Sequence, residues 1–371
     1  MKKNILHIAP IRHTFFLISA VIIGLFHIFK SNYQVMNFLA EKIIRPVLMT
    51  LSFATSVVHF SVAEVLIAIA VIGTAVYLFC KVIALMKQKK SSEKKKTLYK
   101  IFMTPIVLVT VIYAGFCLLW GVYYYGDDFV AKSGLKNEKI SAEQIKAVTS
   151  YFADLANEYS HKVKRNLVDV CEMDREKILE QSDRIYRELA ETYPCMIGPD
   201  VKAKGVKCSK VMSYLDFTGF FFPFTGEANV NMDAPSFTLP ATVAHELAHC
   251  RGVAKEQEAN FAAVLACMGY GDNEYIYSAS LMAYNYLSAG LTKADPKAWA
   301  EINAKLNNDV KRDLAADEFY WKEYHTVAEK ASNKVYEGFL RSYDQKLGLQ
   351  SYGACVDLLV NYYYPLVAGK Y

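Results

Sequence analysis

The sequence predicts an α+β chain that is mostly helical, with transmembrane helices at the N-terminus followed by a domain carrying a small β-sheet. Three observations lead there. The 371 residues are 53% hydrophobic and 21% charged, which excludes a disordered or collagen-like chain. The charge is divided, since residues 1–124 hold 14 Lys and Arg against three acidic residues, a net of +11, and the remainder is −6. Long uncharged runs are confined to the basic third, while helical periodicity fills the rest apart from β-type runs between Lys202 and Met232. This pattern reads as a membrane anchor, residues 1–126, joined to a water-soluble domain, residues 127–371, and argues against nucleic-acid binding.

The first uncharged run, Thr14 to Phe29, follows Arg12 and precedes Lys30. No small-x-small cleavage site follows it, so it reads as a span over about residues 12–30 rather than a signal peptide. Val65 to Met86 is apolar except for Lys81 and predicts a second span, 63–86. Ile101 to Gly126 carries no formal charge, ends in Trp120 and Tyr123-Tyr124-Tyr125, and predicts a third, 101–125, with its aromatics at the interface. The Lys-rich loop 87–100 and the basic N-terminus are placed in the cytoplasm by the positive-inside rule, which puts 127–371 outside the cell membrane. Pro46 to Ala63 is uncharged but weakly polar and reads as an interfacial or re-entrant segment, with a fourth span as the alternative.

In the second part, Ser141 to Gln144 matches a capping box opening a helix to about Val163, and Asp174 to Thr192 is a second amphipathic stretch. Val211–Leu215, Gly219–Pro223 and Gly226–Asn231 read as short strands. After Pro240 helices are expected near 240–251, 255–268, 273–288, 296–307, 309–345 (broken) and 353–366. Outside the cytoplasm cysteines can pair, and Cys195 with Cys208 is the first candidate; Cys250 and Cys267 read equally well as buried thiols.

His245-Glu246-Leu247-Ala248-His249 is an HExxH motif on a predicted helix. At about 100° per residue the two histidines lie about 40° apart on one face, where both imidazoles can reach one metal ion. Neutral imidazoles hold Zn²⁺ without cancelling its charge, and Glu246, too far round to ligate, is the candidate general base. By chance the motif arises on the order of once in a hundred such chains. The third ligand is sought in Lys255-Glu256-Gln257-Glu258-Ala259-Asn260. Glu256 is favoured because Asn260, four residues on, shares its face and can orient a ligating histidine; Glu258 is the competitor. Tyr352, Tyr270 and His325 are candidate oxyanion donors, the Gly226–Asn231 segment is a candidate substrate-binding edge strand, and His161 reads as a surface residue.

HELAH followed by Glu256-x-x-Ala259-Asn260 resembles the gluzincin pattern, in the short-gap form of the M78-type regulatory peptidases, where position 256 matches the ligand and 260 the supporting residue. Lys255 occupies the third-ligand position of metzincins, which argues against that class. The three spans, Pro223-Phe224-Thr225-Gly226-Glu227-Ala228-Asn229-Val230-Asn231, Leu239-Pro240, HELAHCRG, EQEANF and Ser351-Tyr352-Gly353 together resemble the bacterial membrane proteins of domain-of-unknown-function family 3810. That resemblance covers most of the chain and implies a zincin-like fold for 127–371. The resulting expectation is a membrane-anchored zinc metallopeptidase, a hydrolase acting on a peptide or protein at the outer face of the membrane. The alternatives are a catalytically silent zincin-like binding or sensor module, and a membrane scaffold in which the motif is accidental.

Overall fold

The computed structural model describes residues 8–343 and 352–371. The chain forms two compact units. The first comprises residues up to Leu48, Val62–Gly126 and Pro223–Thr225; the second comprises Met49–Ser61, Asp127–Phe222 and Gly226–Tyr371.

In the first unit α1 covers Pro10–Phe29, α2 Tyr33–Phe38, α4 Val62–Lys87 and α5 Ser91–Leu119; α3, Arg45–Ser56, passes from this unit into the second. Pro10 suits the first turn of α1, where its missing N–H costs nothing. Among the described residues α1, α4 and α5, of 20, 26 and 29 residues, are long and apolar enough to cross a membrane. Arg12 Nε donates to Thr104 Oγ1 at 2.9 Å and Lys30 Nζ to Tyr125 Oη at 3.2 Å, so α1 and α5 run parallel. Gln88 Nε2 donates to Thr97 Oγ1 at 2.9 Å across the antiparallel α4–α5 connection.

Two local features differ from the sequence reading. Only residues 88–90 separate α4 from α5, because lysine is a good helix former and the basic run after Ser91 continues the helix. The third span ends at Leu119, and Gly121–Tyr125 tightens into a 3₁₀ helix with Val122, Tyr123 and Tyr124 buried. The Pro46–Ala63 segment supplies all of α3 but its first residue, and α3 continues from α2 through a π-helical stretch, Leu39–Ile44, that carries Glu41 and Lys42; it is not among the described helices long and apolar enough to cross a membrane.

The second unit continues with α6 (Phe129–Ser133), α7 (Ala142–Ser160), α8 (Arg175–Gln181), α9 (Arg187–Thr192), β1 (Lys204–Val206), α10 (Ser209–Tyr214), β2 (Gly219–Phe222) and β3 (Glu227–Asn231). After the sheet come α11 (Leu239–Cys250), α12 (Glu256–Tyr270), α13 (Asn273–Ala294), α14 (Pro296–Lys305), α15 (Asn308–Lys322), α16 (Val327–Ser342) and α17 (Tyr352–Val367). The capping box at Ser141 and Gln144 is made in full. Helices α7, α11, α12, α13 and α17 enclose one core that includes Phe152, Val243, Leu247, Phe261, Tyr275 and Leu287. The sheet order is β1-β3-β2, with β1 parallel and β2 antiparallel to β3, Gly219 opposite Val230 and Phe222 opposite Glu227.

Val211–Leu215 lies mostly in helix α10, with Met212 and Ser213 both buried, and is not a strand. The predicted helix 174–192 is two short ones, broken where Ser182 Oγ accepts from Ala203 N at 3.0 Å. β1 carries no strand pattern in sequence; Lys204 is drawn in by Glu227, with Nζ 2.5 Å from Oε1. β3 is paired on both sides, so Gly226–Asn231 cannot add a substrate strand, and β2 is the edge strand lying along α11. Cys250 and Cys267 are buried thiols within α11 and α12.

The segment Met49–Ser61 belongs to the sheet side of this unit. Ser52 Oγ donates to the Gly226 carbonyl at 2.6 Å, Ser61 Oγ to Asn229 Oδ1 at 2.6 Å, and Lys204 Nζ to the Thr55 carbonyl at 2.7 Å. A buried lysine needs a partner at its charge and at its remaining protons, and Glu227 and Thr55 supply both.

Candidate metal centre

Helix α11 carries Pro240 in its first turn, and the Ala241 N–H donates to Ser278 Oγ at 3.1 Å. Tyr186 Oη donates to the Ala244 carbonyl at 2.7 Å from the core side. With Val243 and Leu247 fully buried, the helix cannot rotate, and His245, Glu246 and His249 are fixed toward β2 and α12. Gly252, at φ +85°, turns the chain back after α11, a conformation that favours glycine. Glu256 therefore opens α12 beside the two histidines, where the helix dipole also favours a carboxylate.

The three side chains converge. His245 Nε2 and His249 Nε2 are 3.1 Å apart, and Glu256 Oε2 lies 3.2 Å from the first and 3.8 Å from the second. The other ring nitrogens are both engaged: His245 Nδ1 donates to Asn260 Oδ1 at 2.8 Å, and His249 Nδ1 to the Val253 carbonyl at 2.6 Å. Those acceptors fix the tautomers and leave each neutral ring with its Nε2 lone pair facing the shared point. A tetrahedral ion with bonds of about 2.1 Å requires donor separations of about 3.4 Å, and the three distances bracket that value. The residues thus fit a divalent metal ion, and two imidazoles with one carboxylate suit zinc among several.

The electrostatics agree with a cation site. Burial would push the Glu256 carboxyl up, but hydrogen bonds from His245 and His249 outweigh it and hold the group well below its ordinary range. Burial opposes charge on His249, yet Glu256 with Glu246 and the Val253 carbonyl raises the ring to about 9. The same negative surroundings that raise the ring would attract a cation.

Glu246 stands beside this point without joining the cluster. It is 3% exposed, and burial pushes its carboxyl up to about 7 against the opposing pull of His245 and His249. Its Oε2 is buried and makes no hydrogen bond among the described residues, as is true of seven other buried side-chain atoms, but it alone of these stands beside the three converging donors. Gly219 on β2 permits its placement: a Cβ there would meet Oε1 at 2.5 Å and Cγ at 2.7 Å. Phe221, two residues on, has its ring 6.4 Å from that of His249.

Of the residues nominated from sequence, His245, His249, Glu256, Asn260 and Glu246 come together. Glu258 does not: its Oε2 accepts from Phe129 N at 2.7 Å and its Oε1 lies 3.7 Å from Lys255, tying α6 to α12. Tyr270 packs on Tyr275 at the far end of α12, His325 is exposed and pairs with Glu329, and His161 is exposed and pairs with Asp309. Ser351 and the side chain of Tyr352 lie outside the described residues. The phenol that reaches the site is Tyr336 on α16, which donates to Glu256 Oε1 at 2.8 Å. It is one of 26 tyrosines, 80 residues from Glu256, and no sequence signal marks it.

No curated protein and no solved structure matches the chain. Residues 39–360 match the family model described as "Protein of unknown function (DUF3810)", which spans most of the 371 residues, and the chain belongs to that family.

Proposed function

We propose that the protein is a membrane-anchored, zinc-dependent metallopeptidase that hydrolyses amide bonds of a peptide or protein at the outer face of the cell membrane. The observation that carries this reading is the buried Oε2 of Glu246, without a hydrogen bond among the described residues, beside three converging metal donors. A pure metal-binding module has no use for a buried base there. His245, His249 and Glu256 would hold the ion in a zincin-like arrangement. When bound, zinc supplies a Lewis acid that polarises a carbonyl and acidifies water.

The chain's own residues do the rest. Glu246 takes a proton from water as the water oxygen bonds to the substrate carbonyl carbon, then delivers it to the amide nitrogen as the C–N bond breaks. Tyr336, held at Glu256, is the candidate donor to the oxyanion. β2 is the candidate substrate guide: Asn231 N bonds the Thr218 carbonyl, and this parity turns the peptide groups of Gly219 and Phe221 away from β3. Location outside the cytoplasm follows from the lysines around the α4–α5 connection.

The test is metal content and hydrolysis of a peptide library by the full chain in detergent. About one zinc per chain is expected, lost in His249→Ala and Glu256→Ala. Glu246→Gln should keep zinc and lose hydrolysis. A folded protein that takes up no metal overturns the proposal, and a zinc protein whose wild-type and Glu246→Gln forms are equally inert reduces it to a binding module.

A further inference from the structure

Resting on the peptidase reading, we infer that the substrate is a polypeptide anchored in the same membrane, cut in the stalk next to its span. The argument is chain connectivity. The tip of the β2–β3 hairpin, Pro223–Thr225, belongs to the unit built from the three apolar helices. There Phe224 packs on Gly115 of α5, so close that a Cβ on Gly115 would meet its Cε1 at 2.7 Å. Gly115 precedes the end of α5 by four residues, about 6 Å, at the end opposite the lysines. The tip is thus seated at the rim of the apolar bundle.

From that tip the chain runs directly into β2. Phe224 is five residue-to-residue steps from Gly219, which lies against the proposed base, and a chain cannot extend more than about 3.6 Å per step. Gly219 therefore lies within about 18 Å of a residue packed on a membrane helix, whatever the rest of the domain does. A second tether is shorter. Ser61, the residue before α4 begins at Val62, donates to Asn229 Oδ1 at 2.6 Å, and Asn229 is the β3 partner of Phe220 on β2.

The guide strand is thus leashed to the bilayer at both ends of its hairpin. An extended polypeptide paired along β2 can place only a bond within about five to ten residues of the bilayer at Glu246. A stalk emerging from the same membrane meets that geometry by its anchorage, which also raises its effective concentration. A soluble protein must bring a flexible segment down to the surface.

The experiment uses the full chain reconstituted in phosphatidylcholine vesicles with its domain outward. The probes are single-span polypeptides carrying a mixed-sequence 12-residue library either 3 or 30 residues beyond the span, and the same library as soluble peptides, with cut bonds mapped by mass spectrometry. Cleavage of the near set should exceed that of the far and soluble sets by at least tenfold. Gly115→Leu, which must displace Phe224, should shrink that ratio without changing soluble-peptide cleavage. In Glu246→Gln, a benzophenone amino acid at position 222 should crosslink the near set in preference to the far. Equal cleavage of all three sets, abolished in Glu246→Gln, overturns this inference and leaves the peptidase standing. No cleavage of any set, with zinc bound, overturns the peptidase reading and this inference with it.

Discussion

Asn260 offers the sharpest test of the proposed metal centre, because it would act on a bound ion only through His245. Its Oδ1 accepts from His245 Nδ1 at 2.8 Å, and the side chain is 8% exposed, so water cannot readily replace it. Removing it in Asn260→Ala strands a buried N–H at a cost of about 1–3 kcal/mol and frees the ring to rotate. Loss of such an outer partner weakens metal binding about 10–100-fold, equivalent to about 1.4–2.7 kcal/mol. The effect is bounded, because His249 is oriented by the Val253 carbonyl, a backbone group that the substitution leaves in place. Asn260→Asp supplies a stronger acceptor to the same nitrogen and adds negative charge near a dication, so its affinity should equal or exceed that of the parent. The assay is zinc competition against a chromophoric chelator at fixed pH, with Glu258→Gln as the carboxylate control that keeps the metal. Parental affinity in Asn260→Ala, or zinc lost from Glu258→Gln but not from Glu256→Ala, would refute the assignment.

Gly219→Ala drives a methyl into both Oε1 and Cγ of Glu246, so no simple rotation relieves it; zinc content should be unchanged while hydrolysis falls at least about tenfold and stability by about 1–3 kcal/mol. Unchanged turnover would show that β2 does not position the base. Burial raises the Asp317 carboxyl to about 6 from 3.8, and its Oδ1 is buried without a partner among the described residues. At this group the folded chain binds more protons than the unfolded between those values, so the contribution of Asp317 to stability is fully present below about pH 4 and is lost, by about 3 kcal/mol, as pH rises through about 6. Asp317→Asn should remove that fall and melt higher than the parent at pH 7 but not at pH 3.5. Residues 127–371 alone lack the bonds from Ser52, Ser61 and Thr55; they should be about 3 kcal/mol less stable than the same residues joined to Met49–Ser61 by a Gly/Ser linker, as read by urea unfolding.

What the sequence made legible is what is local. His245, Glu246, His249, Glu256 and Asn260 fall within 16 residues on two successive helices, and helical spacing with one glycine turn is enough to bring them together. The three apolar helices were legible for the same reason, since each carries its own pattern. The Lys-rich run reads as a loop by charge, yet lysine is a good helix former and the run continues α5. Gly219, Tyr336 and Met49–Ser61 act on the site across long stretches of chain, and no spacing rule reports which of 18 glycines or 26 tyrosines packing will select.

That division also explains why Val211–Leu215 and β1 were misread while β2 and β3 were not. A short apolar run carries too few residues to separate a period of 2 from one of 3.6, and the choice falls to neighbours. Around α10 the neighbours are Ser209 Oγ, which accepts from Met232 N at 2.7 Å, and Ser213 Oγ, which accepts from Asn231 Nδ2 at 2.9 Å. Both serines must face β3 at once, and positions four apart do so on a helix that also buries Met212 between them. The sheet thus dictates the helix that precedes β2, and β2 in turn sets the distance between Gly219 and Glu246. Any substitution that converts α10 to an extended segment, such as a paired Ser209→Val and Ser213→Val, should therefore be felt at the base before it is felt at the metal.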